Sequence, residues 1–229
     1  MFNFDQTADI KARDLLYSYR KAWDPIHLFE DIFRNLKFKK PLFFGAGPNL
    51  WSDLNNIHKI IKDNRQDYYL ISADGASNAL YELNLLPNAI FTDLDGLTPA
   101  QISLFSRQGS LLIVHSHGDN IDKLKKNKIL LKEEKNLIAT TQTQPKFPVI
   151  NPGGFTDGDR GLFFCHHLAP FDTPFILYGY DFGEFIGKYS KNTYDSKKPI
   201  SDQKRKKLEV CKNLIEYLKN NCHRTISFY

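Results

Sequence analysis

The chain reads as an α/β protein, a mostly parallel sheet flanked by helices with an N-terminal helical cap. Three observations predict this. Apolar runs of strand length recur along the chain, helical patterns fill most of the gaps, and almost every strand ends in a turn bearing glycine or aspartate. Alternation at this spacing marks a parallel sheet covered by helices on both faces, a Rossmann-like arrangement.

The elements follow in order. Ala8, Ala12, Leu15, Leu16 and Tyr19 recur at helical spacing. Asp24-Pro25 then opens a second helix, with Ile26, Phe29, Ile32, Phe33 and Leu36 expected on one face. From residue 41 the rhythm changes. Strands are predicted at Pro41 to Gly45, Tyr68 to Ser72, Ala89 to Thr92, Ser110 to His115, Leu137 to Thr141, Phe175 to Tyr178 and Thr225 to Phe228. Helices are predicted at Trp51 to Lys62, Ala76 to Leu83, Pro99 to Phe105, Gly158 to Leu168 and Ser201 to Lys219. The expected organisation is a helical extension over residues 1–40 and an α/β catalytic domain over 41–229.

Composition narrows the class. At 229 residues one large domain, or one with a small appendage, is expected. The 41% hydrophobic and 25% charged content suits a globular chain and excludes a fibrous or disordered one. No apolar run approaches the ~20 residues of a membrane span. The start, MFNFDQTADIKARD, has acidic residues where a signal peptide needs cations. Cys165, Cys211 and Cys222 form no CxxC pair, so a reducing cytoplasm fits best. The net charge of +5 suits a polyanionic partner, either nucleic acid or a small phosphorylated ligand. The lysine clusters at Lys123 to Lys128 and Lys204 to Lys207 read as solvated helix faces, and the aromatics sit inside apolar runs. A phosphorylated small molecule is therefore preferred over nucleic acid.

In an open parallel sheet, ligands bind beyond the carboxyl ends of the strands. The turns there read GAGPN (Gly45 to Asn49), SADGASN (Ser72 to Asn78), TDLDG (Thr92 to Gly96), HSHGDN (His115 to Asn120), NPGGFTDGDRG (Asn151 to Gly161) and YGYDFGE (Tyr178 to Glu184). GAGPN is neither a P-loop nor GxGxxG. It is an anion cradle of backbone N–H groups or a plain tight turn. Asp93 and Asp95, one residue apart at a strand end, can point into one cleft as hard oxygen ligands for Mg²⁺. Asp74, Asp119, Asp157 and Asp159 would crowd the same rim, where unpaired like charges are costly unless a cation neutralises them. Singly, each could instead cap a helix or hold an Asx turn.

His115 and His117 should face one side, but nothing further is placed to complete a zinc site with Asp119. They read as structural histidines near a phosphate, or as one substrate contact; His166 and His167 read as structural. Arg160 can fork onto phosphate oxygens or form a surface salt bridge to Asp157. With no GxSxG and no activated cysteine, hydrolysis through a covalent intermediate has no support.

The ordered set GAGPN, SADGASN, TDLDG, HSHGDN and GGFTDGDRG, over roughly Pro41 to Phe185, resembles the archaeal-type 6-hydroxymethyl-7,8-dihydropterin pyrophosphokinases, a family related to thiamine pyrophosphokinase. Where the thiamine enzymes read like ADGGAN and GDxDS, this chain has ADGASN and TDLDG, with Gly96 in place of the serine. The resemblance implies Mg²⁺-dependent transfer of diphosphate from ATP to a reduced pterin alcohol with release of AMP, in folate or methanopterin biosynthesis. It implies Asp93 and Asp95 on the metal, with Asp74 and Asp119 supporting directly or through water, and Asp119 as a candidate proton acceptor. Asn120 and Arg160 would steady phosphate oxygens. The backbone at Gly45, Gly47, Pro48 and Asn49, and at Gly153 and Gly154, would line the nucleotide cleft. The N-terminal helices would either cap the sheet or pack on a second copy in a homo-oligomer. Competing readings are thiamine pyrophosphokinase itself, a nucleotide-sugar-dependent glycosyltransferase, and a non-enzymatic nucleotide- or RNA-binding module.

Overall fold

The computed structural model describes residues 5–190 and 199–229. Among these residues an all-parallel, eight-stranded sheet has the order β6-β5-β4-β3-β2-β1-β7-β8. The strands are β1 (Lys40–Phe44), β2 (Tyr68–Ala73), β3 (Ala89–Thr92), β4 (Leu111–Ser116), β5 (Leu137–Thr141), β6 (Val149–Ile150), β7 (Phe175–Tyr178) and β8 (Ile226–Phe228). The predicted strands all form, within a residue or so at their ends. Only β6 was not foreseen. Two residues between Pro148 and Asn151 are too few to show a period.

The helices are α1 (Gln6–Arg20), α2 (Ile26–Phe38), α3 (Leu50–Asp63), α4 (Ala76–Glu82), α5 (Pro99–Arg107), α6 (Ile121–Lys126), α7 (Lys128–Glu133), α8 (Asp157–Leu168) and α9 (Asp202–Asn220). Along each strand alternate residues enter opposite cores, as the pleat requires. Phe43, Ile71, Phe91, Ile113, Ile138 and Leu177 face α2, α8 and α9. Leu42, Phe44 and Leu70 face α3 and α4, while Ile90, Leu112 and Val114 face α1, α5, α6 and α7. Each such side chain contributes roughly 1.5–3 kcal/mol on burial.

The N-terminal helices thus lie on opposite faces of the sheet. Ala12 and Leu16 anchor α1, whose buried Arg20 donates to the carbonyls of Leu131, Glu134 and Leu137. Leu28, Ile32 and Leu36 anchor α2 with Phe29 beside them. The expected face of α2 is corrected here: Ile26 and Phe33 are exposed and Leu28 takes the buried register. No helix among the described residues is long and apolar enough to cross a membrane.

Strand order locates the functional edge. From β1 the chain steps outward to β6, then returns through α8 to place β7 on the other side of β1. The connections that leave β1 and β7 run on to α3 and α9 on opposite faces of the sheet, a switch point where α/β sheets characteristically open a crevice.

Candidate active site

A cleft of about 260 Å³ opens at this edge, and its walls come from the ends of β1 to β4 and β7 and from α8 and α9. At its floor, ligand oxygens of Asp74, Asp93 and Asp157 lie within 4.8 Å of one another. Three elements converge to place them. Asp74 follows β2, Asp93 follows β3, and Asp157 opens α8 just after its capping residue Thr156.

Local geometry explains the turns. The Thr92 hydroxyl donates to Asp74 Oδ1 (2.6 Å) while accepting from the Leu94 N–H (2.8 Å). Asp74 and Leu94 both adopt left-handed backbone, at φ 46° and 68°. For leucine this conformation costs about 1–2 kcal/mol. A Cβ on Gly75 would lie 1.9 Å from the Tyr189 carbonyl, so glycine is required for the 187–190 segment to close over the loop.

The charges are unequal. Burial, then the neighbouring Asp93, pushes Asp74 up to about 8, against the opposing hydrogen bond from Thr92. Burial likewise raises Asp157, reinforced by Asp93 and Asp74. Burial would raise Asp93 too, but the hydrogen bond from His117 and nearby positive charge, that of Lys123 and Lys207 included, outweigh it and hold Asp93 below its usual value. His117 Nδ1 accepts the Asp119 N–H, so its Nε2–H is left to donate to Asp93 Oδ2 at 3.2 Å. The other oxygen of Asp93, Oδ1, is buried without a hydrogen-bond partner among the described residues. Three converging carboxylates and one orphaned hard oxygen are the donor set a divalent cation such as Mg²⁺ takes, so the residues fit a metal.

The remaining anticipated residues are placed differently from one another. Asp95 lines the cleft but stands outside the cluster and pairs with Lys123 at 3.2 Å. Asp119 lies at the mouth with its carboxylate 83% exposed. Arg160 is buried and lines the cleft, donating to the carbonyl of Phe155 at 3.1 Å. No ion pair joins Arg160 to Asp157 among the described residues. Asn120 donates to the carbonyls of Asp93 and His115 and accepts from the His117 N–H, so both ends of its amide hold the loop. Gly45, Gly47 and Pro48 line the cleft and Asn49 does not. The Gly45 and Gly47 N–H groups donate to the carbonyls of Tyr178 and Gly179, so these glycines join two loops instead of presenting free donors. Gly153 and Gly154 lie behind the cleft lining, and a Cβ on Gly154 would meet Arg160 Cα at 2.5 Å. Asp159 caps α8, accepting from the Phe155 and Thr156 N–H groups. His115 and His117 do face one side, their ring centroids 5.8 Å apart.

Sequence reasoning missed the contribution of α9. Lys204, Lys207 and Leu208 line the cleft, which corrects the reading of these lysines as a solvated face. A signal existed. Residues 204, 207, 208, 211, 215 and 218 follow one helical stripe, and its later members Cys211, Ile215 and Leu218 are buried.

The fold is α/β with an acidic cleft at the carboxyl ends of its strands, and the family and relatives it matches are diphosphotransferases. The chain belongs to the MptE-like family of 6-hydroxymethylpterin diphosphokinases, whose family model matches residues 15–186. It is similar to the 6-hydroxymethyl-7,8-dihydropterin pyrophosphokinase of Methanocaldococcus jannaschii, 37% identical over 231 residues, covering 96% of this chain and 90% of the relative. The enzyme of the same name from Methanothermobacter thermautotrophicus is 37% identical over 221 residues, with the same 96% and 90% coverage. The one from Pyrococcus furiosus is 36% identical over 213 residues, covering 93% and 86%. Among solved structures, a likeness of TM-score 0.42 and 16% identity extends to the MAf glycosyltransferase of Magnetospirillum magneticum AMB-1, over 65% of this chain and 24% of that one.

Proposed function

We propose that this protein transfers diphosphate from ATP to the hydroxymethyl oxygen of 6-hydroxymethyl-7,8-dihydropterin, releasing AMP, with Mg²⁺ held by Asp74, Asp93 and Asp157. The observation that carries this reading is the three-carboxylate cluster at the cleft floor, in a chain whose relatives bear that activity in their names. When bound, the metal would offset charge on the phosphate oxygens and help hold them for in-line attack.

The chain's own residues do the rest. His117 orients Asp93 through its Nε2–H and leaves the buried Oδ1 without a hydrogen-bond partner among the described residues. Arg160, together with Lys207 from α9, places positive charge beside the acidic floor, where the polyphosphate would lie. Lys123, paired with Asp95, offsets part of the repulsion that this carboxylate adds at Asp74 and Asp157. Asp119 at the mouth takes the proton leaving the acceptor hydroxyl, and it can pass that proton to bulk water. Phe155, Tyr180 and Phe182 supply the aromatic wall against which a flat heterocycle would stack. Catalysis on this reading is positioning plus electrostatic stabilisation.

The test is to incubate the protein with ATP, MgCl₂ and either the reduced pterin alcohol or thiamine, and to identify products by ³¹P NMR and mass spectrometry. Diphosphorylated pterin with stoichiometric AMP is expected. Product from thiamine alone would reassign the acceptor, and absence of both products would remove the proposed activity.

A further inference from the structure

Asp9 lies on α1, before the first residue the family model matches, and the motifs quoted above do not include it. It is nevertheless only 8% exposed, and both of its oxygens are engaged far along the chain. Oδ1 accepts the Gly118 N–H at 2.7 Å, and Oδ2 accepts from Gln142 Nε2 at 2.8 Å. The first contact steadies the turn that carries His117, whose ring holds Asp93. The approach there is close, since a Cβ on Gly118 would lie 2.7 Å from Ala8 Cβ. The second contact reaches the cleft wall itself, because Gln142 lines it and its Oε1 accepts from Arg160 at 3.4 Å.

The chemistry of this chain of contacts is directional. A carboxylate can only accept and a guanidinium can only donate. The Gln142 amide fits between them in one orientation, N–H₂ toward Asp9 and carbonyl toward Arg160. Remove the acceptor at position 9 and the amide can rotate, turning its donors onto the donors of Arg160. We propose that Asp9 is a positioning residue for the diphosphate transfer described above, setting the orientation of Gln142, and through it Arg160, while fixing the turn that presents His117 to Asp93. This inference rests on that functional reading. It makes α1 part of the machinery of the site.

The test uses three variants of the full chain: Asp9→Asn, Gln142→Glu and the double variant. Asp9→Asn keeps an acceptor for Gly118 but places a donor opposite the Gln142 N–H₂. It should lower kcat roughly 10- to 100-fold, the usual consequence of loosening a supporting contact, with KM for ATP changed much less. Gln142→Glu should lose activity as well, by setting two carboxylates against each other. The double variant restores one donor facing one acceptor and leaves a glutamate oxygen for Arg160, so it should recover most of the turnover lost in either single change. A general packing role for Asp9 would not produce that recovery. Turnover of Asp9→Asn within twofold of the parent, or no recovery in the double variant, overturns the inference. If Asp9→Asn does not fold, recovery of Gln142→Glu by the second change decides in the same way. If the parent makes no diphosphorylated pterin, the functional reading itself fails. Asp9 is then judged by the Gln142 side-chain ¹H–¹⁵N signals, identified by their loss in Gln142→Glu. They should shift in Asp9→Asn, and unmoved signals overturn the coupling.

Discussion

Gly96 and Asp74 are in direct apposition: a Cβ built on Gly96 would lie 2.2 Å from Asp74 Oδ2. The glycine that closes TDLDG is thus what lets the β3 turn slide over the carboxylate of the β2 turn. The Gly96 N–H also donates a hydrogen bond to that carboxylate, which lowers its pKa against the larger effect of burial.

Gly96→Ala should therefore displace Asp74 rather than the fold. Forcing a methyl into this contact costs about 1–3 kcal/mol of stability. Loss of turnover should be much larger, roughly 100-fold. Thermal melting and the diphosphate transfer assay measure the two effects side by side. A variant that melts several degrees lower yet turns over normally would mean that the apposition has no catalytic role.

Asparagine substitutions should separate the cluster from its neighbours. Asp74→Asn, Asp93→Asn and Asp157→Asn each remove an anionic ligand and should reduce diphosphate transfer by at least about 10³-fold. Asp95→Asn breaks a half-exposed ion pair with Lys123, so it should cost no more than about 1 kcal/mol of stability and only a modest part of the rate. Isothermal titration with Mn²⁺ should show the same division in metal affinity. Equal losses across all four variants would place Asp95 in the ligand set.

The carboxylates also make a pH-dependent prediction for metal-free protein. Asp74 titrates near 3.8 when unfolded but is raised to about 8 by burial when folded, so between these values only the folded state holds the proton. The stability attached to that proton is full below the unfolded value and is lost as pH rises toward 8. Melting temperature should fall between pH 5 and pH 8 in EDTA, and Mg²⁺ should raise it most at the alkaline end. Asp74→Asn should flatten the profile and raise the pH 8 melting point by about 2–4 °C for each kcal/mol of relieved repulsion. A pH-independent melting point in EDTA would contradict this electrostatic description.

Lys207 provides a separate check on α9. It has no hydrogen-bond or ion-pair partner among the described residues, yet it lines the cleft and acts on Asp93. Lys207→Ala should raise KM for ATP roughly tenfold, equivalent to about 1.4 kcal/mol, while leaving the melting temperature within a few degrees. Unchanged steady-state constants would return this lysine to a solvated role.

Much of the fold was legible because its causes are local. Strands such as Leu111–Ser116 and Leu137–Thr141 are fully buried apolar runs ended by polar turns, and α5 begins at Thr98-Pro99 with a capping box closed by Gln101. The acidic turns were legible for the same reason. Their membership in one cluster was not. Asp157 and Asp95 look alike along the chain, yet α8 crosses back beneath β1 to β3 and carries Asp157 into the ligand set, while Lys123 draws Asp95 aside. The glycines of GAGPN were visible, but not that the Gly45 and Gly47 N–H groups would be taken by the β7 loop.

By itself the sequence determined an alternating α/β chain with aspartate and glycine at the carboxyl ends of its strands, since short apolar runs, helix caps and tight turns are properties of a few adjacent residues. Tertiary structure alone decided which carboxylates share a floor, that α9 brings lysines to it, and that Asp9 reaches Gln142 across 133 positions. Those relations depend on strand order and on where helices return across the sheet. Short-range patterning carries no record of either, because the contacts form only once the two cores have closed.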